Sequence, residues 1–122
     1  MDQNQKPKQY DLEDRTFEFA KNVRNFIKNI PKNIANFEDG KQLVRSSGSI
    51  GANYIEANES LSKKDFVMRI KISRKEAKES GLWLRLIDIE NKKELDEQRI
   101  KLTKESIELM KIFGSIIEKT KN

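Results

Sequence analysis

Phe66, Ile70, Ser73, Ala77, Ser80, Leu84 and Ile87 follow one another at alternating steps of four and three. Only an α-helix brings residues at those steps onto one side, since about 3.6 residues complete a turn. The Ser and Ala between the bulkier members let a neighbouring helix come close along the same line. A seam of this length is too long for one helix to bury alone, so the chain must supply others.

It does so three times. Phe19, Ala20, Val23, Phe26, Ile27 and Ile30 form one stripe, closed by Pro31. Asp11 is a candidate N-cap for it, with Glu13 and Asp14 near the positive end of the helix dipole. Leu43, Ser47, Ile50, Tyr54 and Ala57 form another seam, and Leu102, Ser106, Leu109, Met110, Phe113, Ile116 and Ile117 a last one. Ser62 to Asp65 has the spacing of a capping box. These signals predict helices over about residues 12–30, 41–58, 63–92 and 96–119, with residues 32–40 as a connection in which Ile34 and Phe37 tuck under the helices. Residues 1–10 read as a flexible arm. No segment alternates like a strand. The fold class is therefore all-α, and short connections between long amphipathic helices predict an antiparallel up-down four-helix bundle over residues 11–122.

Residue types exclude much chemistry. The chain contains neither Cys nor His, which removes disulfides, thiol nucleophiles, imidazole bases and zinc sites built on those ligands. Pairs of carboxylates stand at Glu56/Glu59, Glu76/Glu79 and Glu105/Glu108, but bundle metal sites of that spacing place His at the second position. Gly48-Ser49-Ile50-Gly51 lacks the Gly-Lys-Ser/Thr ending of a phosphate loop and follows no strand. No enzyme, cofactor or metal is expected. No leader or membrane-length apolar run appears, so a cytoplasmic protein is expected.

Two features of the third helix point to binding instead. Roughly opposite its core seam lies a second line, Met68, Ile72, Lys75, Glu79, Leu82, Leu86 and Ile89, of which Met68, Ile72, Leu82, Leu86 and Ile89 are apolar. An exposed apolar line needs a cover, and another copy of the chain is the simplest one. The N-terminal arm or the 32–40 connection is the alternative cover. Between the seams runs a basic flank of Lys71, Arg74, Lys75, Lys78 and Arg85. Residues 63–93 hold ten basic against five acidic residues, and thereby the whole net charge of +5; the segments on either side are balanced. Such a row suits the phosphates of RNA or DNA, whereas ordinary pairing with neighbouring carboxylates would give only a solvated face.

The run RSSGSIGANYIEANESLSKKDFVMRIKISRKEAKESGLWLRLI, residues 45–87, resembles the signature region of the bacterial four-helix-bundle family named after 23S rRNA intervening sequences. The matching elements are Ser49, Ile50, Asn53 and Glu56, then Asp65-Phe66, then Glu76, Glu79 and Trp83-Leu84. Gly51 stands where many members have Pro, and Ala57 where they have Gly. The resemblance implies an antiparallel four-helix bundle assembled as a ring-like homopentamer. It also implies kinship with the accessory variability proteins of diversity-generating retroelements, which are basic, pentameric and associated with nucleic acid and a reverse transcriptase. It implies no catalytic activity.

Asn53 and Glu56 lie one turn apart, so both can face the same neighbour, with Arg69 or Arg74 as the expected cation for Glu56 and a register-fixing role for the pair. Ser47 with Gly51, and Gly48 with Ala52, leave one side of the second helix nearly bare of side chains. Each mid-helix Gly costs about 0.5–1 kcal/mol relative to Ala, so this small-residue stretch is expected to be a packing surface rather than a phosphate cradle.

Overall fold

The computed structural model describes residues 11–121. Four helices account for nearly all of them, and no strand occurs among the described residues: α1 (Leu12–Ile27), α2 (Ile34–Asn58), α3 (Lys63–Leu86) and α4 (Lys93–Lys119). The arm expected over residues 1–10 lies outside the described residues.

Each helix begins and ends for a local reason. Asp11 accepts the Glu13 N–H at the start of α1, Asn33 the Asn36 N–H at the start of α2, and Ser62 the Asp65 N–H at the start of α3. α4 starts at Lys93 without a side-chain cap, and Glu94 and Asp96 sit in its first turn. Helix α1 stops at Ile27, short of the expected Ile30, because Pro31 disfavours helical backbone in the residue before it. The last amides, Asn29 and Ile30, bond back only three residues, to Phe26 and Ile27.

The expected connection over residues 32–40 is corrected by the structure. Most of it is the first two turns of α2, started by the Asn33 cap that the apolar pattern does not reveal. Ile34 and Phe37 accordingly point outward, 85% and 65% exposed, instead of tucking under the helices. Helix α3 likewise ends at Leu86, not near 92, since Ile87 is extended and Glu90 and Asn91 take positive φ values of 54° and 60°. Buried Asn36 anchors this turn: its amide donates to the carbonyls of Pro31 and Asp88, and its oxygen accepts the Asp88 N–H. Arg99 donates to the Ile87 carbonyl at 2.7 Å, satisfying the end of α3.

On α2 and α3, Arg45 meets Glu76, Ser46 meets Ser80, Ser73 donates to the Ile50 carbonyl and Arg69 donates to Asn53. The helices pack in a cycle, α1 on α2, α2 on α3, α3 on α4 and α4 back on α1. The core between them holds Phe19, Val23, Phe26, Leu43, Ile50 and Ile70 with Leu84, Leu109, Phe113 and Ile117. Each such aliphatic or aromatic side chain, fully buried, contributes roughly 1.5–3 kcal/mol. Ring packing of Tyr54 on Phe113, 5.9 Å between centroids, ties α2 to α4 across the centre.

Candidate functional site

Helix α3 presents three surfaces, and the others follow from the one that is buried. Ile70, Ser73, Ala77, Ser80 and Leu84 face the core. Lys71, Arg74, Lys75, Lys78 and Arg85 therefore emerge to one side of it, and all five are exposed. Among the described residues Lys71, Arg74, Lys78 and Arg85 have no carboxylate partner, and Lys75 approaches Glu76 only at 4.0 Å. The stem of Arg74 lies over Gly114 of α4, with its Cδ 3.8 Å from where a Cβ would stand. The basic flank thus borders the seam between α3 and α4.

On the other side of that flank, Met68, Leu82 and Leu86 are exposed and Ile72 is partly so. Ile89 departs from the expectation that it belongs to this exposed line. It is 6% exposed and part of the core, because α3 has ended and the turn carries it inward. No described residue of the 32–40 segment covers this line; Ile34 and Phe37 are themselves exposed.

Packing explains the small residues of α2. The whole stretch from Ser46 to Asn58 is helical and no glycine takes positive φ. A Cβ at Gly51 would lie 2.8 Å from Thr16 Oγ1 of α1, and one at Gly48 3.5 Å from the Arg24 guanidinium. Ser46 and Ser47 are buried, and Ser46 shares a 2.8 Å hydrogen bond with Ser80. Ser46, Ser47 and Gly51 thus seat neighbouring helices, while Gly48, Gly51 and Ala52 also line a depression against Thr16 and Arg24 of α1.

The polar motif residues are distributed differently from the expectation. Glu56 is exposed and reaches neither Arg69 nor Arg74. Arg69 instead donates to Asn53 Oδ1 at 3.0 Å, while the Asn53 amide donates to the Ser49 carbonyl. Asn53 lies nearer the α2–α3 seam, and Glu56 is turned past it toward solvent. Glu76, 5% exposed, and Glu79 both face Arg45 of α2, at 3.3 and 3.8 Å. Glu105 and Glu108 are similarly met by Arg15 of α1, at 2.6 and 3.7 Å. Two carboxylate pairs are thus engaged by arginines, and among the described residues no cluster of three carboxylates could hold a metal ion. Trp83 packs against the core with its indole N–H buried and unpartnered among the described residues.

Arg45, Thr16 and Asn36 were not singled out by sequence spacing. Each acts on a residue of another helix or turn at least 31 positions away along the chain, and local periodicity carries no signal for that.

Over the described residues these features define an all-helical protein with a cationic flank and interhelical arginine–carboxylate ties. The family model for the 23S rRNA-intervening sequence protein matches residues 8–115, and the chain belongs to that family. A solved structure from Bacteroides thetaiotaomicron, described as a protein of unknown function from the S23 ribosomal protein family, is similar at 34% identity. That similarity covers 88% of this chain and 98% of the other, with a TM-score of 0.74. No curated protein matches the chain.

Proposed function

We propose that this chain is a non-enzymatic nucleic-acid-binding protein of the cytoplasm, an antiparallel up-down four-helix bundle that assembles as a ring-like homopentamer. One observation carries the binding role: Lys71, Arg74, Lys78 and Arg85 stand in a row on one exposed face with no carboxylate partner among the described residues. A solvated helix face of the ordinary kind would interleave them with acids. Here the nearest acids of α3, Glu76 and Glu79, are engaged by Arg45, and of the flank only Lys75 approaches one, Glu76 at 4.0 Å. Contacts from such a row go to phosphates, so the binding is blind to sequence and falls steeply with salt. Repetition of the row in every subunit of a ring multiplies a weak field.

The assembly is supported by the exposed Met68, Leu82 and Leu86 beside the flank, an apolar line that a lone subunit leaves wet. The test of binding is the double substitution Arg74→Ala with Lys78→Ala. It should weaken binding to unrelated RNA and DNA sequences by the same factor and flatten the salt dependence. Undetectable binding by the unaltered protein to structured RNA at low salt rules the role out.

A second reading, an accessory subunit that docks a protein such as a reverse transcriptase, draws on a different place. Ile27, Ile30, Pro31, Ile34, Phe37 and Val44 line an open apolar depression at the α1–α2 corner. A partner retained after nuclease treatment favours that reading.

A further inference from the structure

The sequence places the cations on α3 alone, but the structure adds a second wall. One depression between α3 and α4 is lined by Lys75, Lys78, Leu82 and Arg85 on one side and by Ile107 and Met110 on the other. A second holds Arg85 with Arg99, Ile100, Lys104 and Ile107. They share Arg85, Thr103 and Ile107, so they form one continuous groove along the seam. Their volumes, about 560 and 620 Å³, fall within the range of sites that hold a small molecule. Between the walls the helices nearly touch, since a Cβ at Gly81 would lie 3.2 Å from Ser106 Oγ. The groove is therefore shallow and narrow.

Its chemistry is mixed in a particular way. Lys78, Arg85 and Lys104 have no carboxylate partner among the described residues, whereas Arg99 is already committed to the Ile87 carbonyl and Asp96. The one carboxylate in the lining, Glu79, lies 3.8 Å from Arg45. Ile100 and Ile107 are nonetheless exposed. An occupant must bring anions to both walls and apolar surface to the floor. A duplex offers its phosphates but hides the faces of its bases in the stack. A single strand offers both at once.

We propose that the α3–α4 groove takes a short run of single-stranded nucleic acid, its phosphates against Lys78, Arg85 and Lys104 and its bases against Ile100 and Ile107. This inference rests on the nucleic-acid-binding reading and goes beyond it in naming the α4 wall and the strandedness. Three phosphate contacts give a slope of log affinity against log salt of about −2 for a single strand, or about a 20-fold loss between roughly 50 and 200 mM salt.

The experiment is fluorescence anisotropy of the full-length protein with a labelled oligo-uridylate and with a labelled RNA duplex, across a salt series. The expected result is tighter binding of the single strand. Lys104→Ala should flatten the single-strand salt slope by about 0.7, and Ile107→Ser should erase the preference over duplex while circular dichroism shows the helices intact. If Lys78→Ala weakens binding but Lys104→Ala and Ile107→Ser do not, the α3 flank survives and the groove falls. Duplex bound as well as or better than the single strand overturns the proposal. Displacement of the oligonucleotide by poly-glutamate at equal charge also overturns it, in favour of an acidic protein segment. Failure of both nucleic acids to bind removes the broader reading and the groove together.

Discussion

Asn36, in the first turn of α2, holds both backbone groups of Asp88, donating to its carbonyl at 2.8 Å and accepting its N–H at 2.9 Å. A third bond from the same amide reaches the Pro31 carbonyl at 2.9 Å. One buried side chain thus joins the α1–α2 connection to the α3–α4 turn, whose Glu90 and Asn91 sit in left-handed backbone. Asn36→Ala leaves three backbone groups to find other partners. The expected loss is about 1–3 kcal/mol, read as a lower urea midpoint at unchanged slope, and amide exchange should quicken first in residues 87–92.

The contact between Gly51 and Thr16 makes a sharper test. A Cβ at position 51 would stand 2.8 Å from Thr16 Oγ1 and 3.3 Å from Thr16 Cβ, and the hydroxyl is held by its bond to the Glu13 carbonyl. Gly51→Ala should therefore fail to deliver the gain of about 1 kcal/mol that Ala brings to a helix interior. In a Thr16→Ala background the hydroxyl is gone, only the 3.3 Å approach to Cβ remains, and part of the gain should reappear. A double-mutant cycle by thermal or urea unfolding measures the coupling. Gly51→Leu, which drives more atoms against Thr16, should cost several times more than Gly51→Ala.

Much of this architecture was legible in the sequence where it rested on period. The seams of Phe66 to Ile87 and Leu102 to Ile117 locate α3 and α4 because core-facing residues recur at helical steps whatever the partner. The basic flank was legible for the same reason, as the complement of a buried seam. Legibility failed where a cap or a turn overrules the period. Asn33 starts α2 two turns early, and the positive φ of Glu90 and Asn91 folds Ile89 into the core although it fits the outer line. It failed again where partners are distant: Arg45 takes both Glu76 and Glu79, and Lys104 joins α3's cations, through packing that no local spacing encodes.

The tie from Arg45 to Glu76 predicts an asymmetry. Glu76 is buried while Arg45 is about half exposed, so the pair's Coulomb energy is screened on one side and its net worth is small. Removing only the arginine is different, because it leaves a buried carboxylate with only exposed Lys75, 4.0 Å away, as counter-charge. Arg45→Ala should therefore destabilise more than Glu76→Gln, which keeps the shape and discards the charge. Adding Glu76→Gln to Arg45→Ala should restore part of the loss. Equal effects of the two single substitutions, by urea unfolding at neutral pH, would show that the pair is incidental.

The apolar line on α3 carries the last prediction. Leu82 and Leu86 are both exposed and one turn apart, and neither contributes to the core. Leu82→Glu with Leu86→Glu should therefore leave helix content and unfolding midpoint nearly unchanged in a single subunit, since surface replacements away from special features shift stability by only about 0.5 kcal/mol. In a self-assembled protein the same change places two carboxylates in an apolar contact, where burying an unpaired charge costs several kcal/mol per ion. Native mass spectrometry or light scattering should accordingly find the unaltered chain as an oligomer and the double variant as single subunits. Ile89→Glu is the control, because Ile89 lies in the core of its own chain: it should unfold the subunit instead of dissociating it. If the double variant keeps the mass of the unaltered protein, the line on α3 is not where copies meet.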